Sequence, residues 1–123
     1  MRLKDKEILV KLNNKTFHCA MDVSMSYIGG KWKTVVLWYL KNDAIRFGEL
    51  RKLCPQITER MLSITLKQLE EDGLVKRKVY TQKPPLKVEY SLTEFGQSAI
   101  PMLEEIAKWG RMVSKSKGKI VEV

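Results

Sequence analysis

The chain has 123 residues and a formal net charge of +9, with an isoelectric point near 9.6. That length is one domain's worth, and 44% hydrophobic with 30% charged residues is the composition of an ordinary globular protein. No apolar run approaches the roughly 18 residues of a membrane span, and the opening MRLKDKEILVKLNN lacks the apolar stretch of a signal peptide. A cytoplasmic protein with no membrane attachment is expected.

Residues 8–17, ILVKLNNKTF, read as two short strands joined at Asn13-Asn14, because asparagine tolerates the positive φ of a two-residue type I′ turn. Met21, Met25 and Ile28, at i, i+4 and i+7, predict a helix over 21–29 that Gly29-Gly30 ends. Residues 31–41, KWKTVVLWYLK, follow the 3.6-residue period through Trp32, Val35, Val36, Tyr39 and Leu40. Leu37 and Trp38 widen that face, which makes this the central, most buried helix. Asn42-Asp43 is a turn and Ile45-Arg46-Phe47 a short extended piece. A short helix over 48–54, GELRKLC, stops at Pro55. Thr58 then caps a helix over 58–72 that runs to Gly73. Its core face is Leu62, Thr65, Leu66 and Leu69; Glu59, Arg60, Ser63, Ile64 and Lys67 take the opposite face.

Residues 75–92, VKRKVYTQKPPLKVEYSL, read as two strands about a Pro-Pro pair that stiffens the tip. Alternation turns Val75, Val79, Val88, Tyr90 and Leu92 toward the core, and Lys76, Lys78, Lys83 and Lys87 outward. Arg77 shares the valines' face, where a carboxylate is an alternative partner. Five basic residues gather in this hairpin against one acid, Glu89. Thr93 caps a long C-terminal helix, kinked by Pro101, in which Ala99, Leu103, Ile106, Gly110 and Val113 recur close to every 3.5 residues. Lys115, Lys117 and Lys119 fall in a frayed Gly/Ser-containing tail.

A basic chain draws polyanions, either nucleic acid or an anionic membrane face. A merely solubilising surface is the plain alternative, so position decides. Two short helices joined by a tight turn, 48–54 and 58–72, and followed at once by a ribbon make a helix-turn-helix with a wing. Such a unit lays its second helix in the major groove. There Arg60 can fork to guanine, Ser63 can bond a base or phosphate, Ile64 can touch a thymine methyl, and Lys67 can meet a phosphate. Lys78, Lys83 and Lys87 of the wing would neutralise phosphates and release counterions. A solvated charged helix face remains the alternative, which Glu59 and Glu71 keep open.

No catalytic set accompanies these residues: there is one histidine, and neither a nucleophile elbow nor a phosphate loop. No enzyme and no cofactor are expected. His18, Cys19 and Cys54 fall short of the about four ligands a Cys/His zinc site needs.

The runs IGGKWKTVVLWYL, RFGELRKLCPQIT, RMLSITLKQLEEDGLVKR and PPLKVEYSLTEFG resemble the HxlR-type, MarR-like, winged helix-turn-helix regulators over roughly residues 19 to 110. The resemblance implies a small homodimeric prokaryotic transcription factor whose N- and C-terminal helices form the dimer. It assigns Arg46 and the helix face from Thr58 to Lys67 to DNA reading, and 80–87 to the wing tip. The expected fold is therefore α+β. A winged helix-turn-helix core over 19–92 follows an N-terminal arm and hairpin over 1–18, and a C-terminal dimerisation helix and basic tail cover 93–123, all in one domain. The near-heptad of the last helix points to the same dimer; packing on its own core is the other reading. A dimer would read a pseudo-palindrome with half-sites about one helical turn apart on double-stranded DNA.

Members of that family often carry a cysteine just before the first core helix, where Cys19 stands, and in some it senses oxidants or electrophiles. A helix N-terminus or nearby cations activate a thiol, and Cys19 lies beside His18 at a helix start. The chain departs from the family in carrying Ala20 where proline is usual. A plain half-buried cysteine is the competing reading, and Cys54 is expected to pack inside. Two rival functions remain: an architectural DNA binder without sequence preference, and a winged helix used for protein contacts. A small-molecule effector has a candidate pocket in Trp38, Tyr39, Met102 and Trp109, whose plain reading is ordinary core packing.

Overall fold

The computed structural model describes residues 2–3, 6–7, 9–81, 83–85, 87–119 and 121–122, the first two pairs as backbone only. The core forms where five helices meet a small sheet. α1 (Ala20–Ile28) contributes Ile28, α2 (Lys33–Tyr39) contributes Val36 and Leu37, and Leu40 follows at its C-cap. α2 is shorter than the 31–41 expected, since Trp32 serves as its N-cap. After β5 (Ile45–Arg46), Phe47 opens α3 (Phe47–Leu53) instead of extending the strand, and Leu50 of α3 is fully buried.

α4 (Glu59–Glu71) shows how its sequence makes a helix. The Thr58 side chain accepts a hydrogen bond from Met61 N at 3.0 Å, satisfying one of the orphan amides of the first turn. The helix ends before Gly73, whose φ of +81° suits a residue without a Cβ. The four residues predicted for the core face, Leu62, Thr65, Leu66 and Leu69, are the four buried ones. Each buried leucine contributes about 1.5–3 kcal/mol. Thr65 escapes the cost of an unpaired buried hydroxyl by donating to the Met61 carbonyl at 2.7 Å.

β6 (Val75–Val79) and β7 (Val88–Leu92) pair antiparallel, and β5 adds to the free edge of β7, giving the order β5-β7-β6. Register pairs Val75 with Leu92, both buried at the base of the hairpin. The expectation that Val79 turns into the core is wrong: it is 38% exposed, and Val88 and Tyr90 are only half-buried. Their face is the inner one, but the distal hairpin reaches past the helices that would cover it.

The C-terminal segment is also corrected. Thr93 caps only a single turn, α5 (Glu94–Gln97), and a separate α6 (Ile100–Lys117) begins after it. Pro101 lies in the first turn of α6, where its missing N–H has no partner to lose, so it starts a helix rather than kinking one. Lys115 and Lys117 are in this helix, not in a frayed tail.

At the N-terminus, β3 (Val10–Leu12) and β4 (Lys15–Phe17) form the expected hairpin, with Asn13 at φ +50° and Asn14 at φ +64° as a type I′ turn requires. Ile8, placed in that hairpin from sequence, lies outside the described residues. A further pair, β1 (Arg2–Leu3) with β2 (Lys6–Glu7), was not anticipated. Among the described residues, no helix is long and apolar enough to cross a membrane.

Candidate nucleic-acid interface

The turn between α3 and α4 is held from both sides. Cys54 N donates to Leu50 O at 3.0 Å and Ile57 N to Cys54 O at 3.1 Å. The Ile57 side chain plugs the core, and the Arg51 guanidinium donates to its carbonyl. Cys54 is buried beneath the turn as expected, and burial pushes its thiol pKa up. The relative angle of α3 and α4 thus rests on backbone bonds, one apolar plug and one cation, leaving α4 free to present its outer side.

That side carries Arg60, Ser63, Ile64 and Lys67, all exposed. Thr58 is exposed as well, and although its oxygen accepts the N-cap bond, its hydroxyl proton is available to a ligand. A cleft of about 520 Å³ opens between α3, α4 and the wing, and it brings Arg46, Ser63 and Lys87 together with Glu49 and Glu59. Arg60, Ile64, Lys67, Lys78 and Lys83 lie outside its lining, on the flanking surfaces of α4 and the wing. Two cations and a hydroxyl along one groove can meet a phosphate backbone, while the face of α4 beside it is polar enough to meet base edges.

The wing presents its cations in fixed directions. Lys76 and Lys78 stand opposite Ser91 and Glu89 on the outer face, and Tyr80 N donates to Lys87 O at 2.8 Å beyond the last ladder pair. At the tip, Thr81 Oγ1 lies 3.2 Å from the Pro85 carbonyl, to which it donates, and accepts from Lys87 N at 3.3 Å; the Pro84-Pro85 peptide is cis. Lys83 is exposed between these anchors. Arg77 is exposed on the inner face with no carboxylate partner: among the described residues, the one ion pair is Lys52–Glu49 at 3.5 Å.

Sequence reasoning missed two residues of this surface. Tyr80 donates to Glu89 Oε1 at 2.8 Å, and Lys78 Nζ sits 4.7 Å from the Tyr80 ring centroid. The signal was present, since Tyr80 shares the period-two phase of Lys76 and Lys78, and Glu89 is the hairpin's lone acid.

Cys19 is half-buried at the N-cap of α1, whose first turn carries Asp22, not a cation. The proposed pocket of Trp38, Tyr39, Met102 and Trp109 does not form. Trp109 is 66% exposed, and Trp38 lies under the Lys41 ammonium, 3.5 Å from the ring centroid. A different apolar hollow of about 350 Å³ opens among Leu12, Val23, Tyr27, Ile28, Phe95 and Met102.

Helix, tight turn, second helix with a polar outer face, and a basic antiparallel ribbon define a winged helix-turn-helix protein. Residues 27–117 match the family described as HxlR-like helix-turn-helix. The uncharacterized HTH-type transcriptional regulator YkvN of Bacillus subtilis strain 168 is 51% identical over 96 residues, which span 78% of this chain and 80% of that one. An HTH-type transcriptional regulator of Methanothermobacter thermautotrophicus is 46% identical over 101 residues, spanning 82% and 76% of the two chains. Among solved structures, that of the redox regulator HypR in its reduced form is similar with a TM-score of 0.73 at 42% identity, covering 77% of this chain and 93% of that one. The chain belongs to the HxlR-like helix-turn-helix family, a family of transcriptional regulators.

Proposed function

We propose that the protein is a homodimeric regulator that reads a pseudo-palindromic operator, with α4 in the major groove and the wing on the adjacent backbone or minor groove. Residues 19–92 act as the DNA-binding core, and 93–123 carry the dimer contact together with α1. The observation that carries this reading is the cleft joining Arg46, Ser63 and Lys87 between α4 and the wing. Arg60, Ser63 and Ile64 read bases, with Thr58 at the head of their helix. Arg46, Lys67, Lys78, Lys83 and Lys87 meet phosphates.

Dimerisation explains an otherwise unfavourable surface. Ile106, Trp109 and Met112 of α6 and Met21 and Met25 of α1 are exposed large apolar side chains, a pattern that marks an interaction site. Of the near-heptad, Leu103 is buried within the chain, Ala99, Gly110 and Val113 are half-buried, and Ile106 is exposed, which leaves Ile106 beside Trp109 and Met112 for a second copy.

The test is selection of duplexes from a random pool, then fluorescence anisotropy of the selected and a scrambled duplex across a salt series. A selected pseudo-palindrome bound about a thousandfold more tightly than the scramble establishes the specific regulator. Equal binding supports an architectural role, and no binding at low salt refutes the DNA reading. Thiol sensing at Cys19 is a second part of the proposal, favoured by the likeness to a redox regulator and by the partial exposure of this cysteine alone of the two. Diamide should abolish the preference in the native protein, reductant should restore it, and Cys19→Ser should be insensitive.

A further inference from the structure

The outer face of the wing holds one carboxylate among its cations. Pairing sets Glu89 of β7 opposite Arg46 of β5 on one side and Lys78 of β6 on the other. Directly opposed residues have Cβ atoms about 4.5–5.5 Å apart, so both cations border the same acid. Its Oε1 accepts a hydrogen bond from the Tyr80 hydroxyl at 2.8 Å. The Tyr80 ring in turn carries the Lys78 ammonium 4.7 Å from its centroid. Tyr80 is still 49% exposed, so the ring and the ammonium face solvent together. The hydrogen bond to Glu89 raises the Tyr80 pKa above the ordinary tyrosine value, while Arg46 acts in the opposite sense; the three groups therefore share one electrostatic neighbourhood.

We propose that Glu89 is a specificity-determining positioning residue of the DNA interface: it fixes Tyr80 and Lys78 in one geometry, while its charge weakens binding to every duplex alike. This inference rests on the reading of the wing as a DNA contact. A carboxylate near phosphates repels them whatever the sequence, so that part lowers affinity uniformly. A ring and ammonium held in one place favour only the duplex whose backbone path matches them, so that part raises discrimination.

The two parts separate by mutation. Glu89→Ala removes charge and acceptor, Glu89→Gln removes the charge but keeps an acceptor for Tyr80, and Tyr80→Phe keeps the charge and loses the bond. On the scrambled duplex, both Glu89 variants should bind about threefold more tightly at low salt, and Tyr80→Phe should bind as the native protein does. The ratio of selected to scrambled affinity should fall about threefold or more in Glu89→Ala and Tyr80→Phe, with partial recovery in Glu89→Gln. An unchanged ratio in Glu89→Ala or Tyr80→Phe, or no gain on the scramble when the charge is removed, overturns the proposal. Phenolate absorbance at alkaline pH, read as the difference from Tyr80→Phe, provides a readout without DNA. Tyr80 should ionise at a lower pH in Glu89→Ala than in the native protein, and an unmoved titration refutes the link between the two residues. Native protein with that titration intact but no preference for any duplex would instead bring down the functional reading, and this inference with it.

Discussion

Thr93 stands where α4, the wing and α5 meet, and its removal should loosen all three. Its Oγ1 donates to the Gly73 carbonyl at 2.6 Å and accepts from Gly96 N at 2.9 Å, and its backbone N donates to Leu74 O at 3.1 Å. Thr93→Ala deletes the two side-chain bonds and keeps the third. Loss of the N-cap costs about 1 kcal/mol. The bond to Gly73 adds about 0.5–1 kcal/mol, the low part of the usual range because the half-buried site lets water reach that carbonyl. The sum is about 1.5–2 kcal/mol, or roughly 5–8 °C in Tm for a domain of this size. Urea unfolding at fixed protein concentration measures it, since the stability of the proposed dimer would depend on concentration. The midpoint should fall with the slope unchanged, and Thr93→Ser, which keeps both bonds, should stay within about 0.5 kcal/mol of the native protein. A serine variant as damaged as the alanine one, or an alanine variant indistinguishable from native, would refute the clamp.

A Cβ on Gly96 would lie 2.1 Å from the Leu74 carbonyl oxygen and 3.3 Å from Leu92 Cβ. Backbone cannot swing aside as a side chain can, so Gly96→Ala should lose about 1–3 kcal/mol in the same urea assay. Arg60→Ala should cost about 1–3 kcal/mol on the selected duplex and relax preference at one base position, read by anisotropy on single-substituted duplexes. Lys83→Ala should weaken selected and scrambled duplexes alike and reduce the salt slope by about one; a sequence-dependent loss there would reassign the wing tip. Burial leaves Cys54 3% exposed and raises its thiol pKa, so less thiolate forms at neutral pH than on a free cysteine. Iodoacetamide followed by peptide mass spectrometry should find Cys19 modified first and Cys54 only on unfolding, and equal rates at the two would contradict the structure.

The features that could be read without coordinates are those whose cause lies within one turn or one hairpin. Thr58 and Gly73 bound α4 because capping and positive φ are local demands, and the 3.6-residue period chose Leu62, Thr65, Leu66 and Leu69 as its buried face. Asn13-Asn14 marked its turn for the same reason, and the outward lysines of the wing followed from strand alternation. The segment after Thr93 was misread because two rules competed there. The heptad spacing argued for one helix, while Pro101 was compatible with either a kink or a new first turn, and the structure takes the second.

What only the tertiary structure decided is which surfaces are covered and which strands are neighbours. Alternation put Val79 on the correct face, but whether a face is buried depends on the reach of helices distant in sequence, and they stop short of it. Arg46 and Glu89 are 43 positions apart in the sequence, and it is the pairing of β5 with β7 that places them side by side, with Lys78 on the far flank. The cleft beside α4 and the Tyr80–Glu89 bond arise in the same way. Sequence by itself determined the helix-turn-helix, the basic ribbon and the polarity of each, because these follow from chemistry between residues close along the chain. The arrangement of cations around α4 and the wing was settled by long-range register, which no local preference encodes.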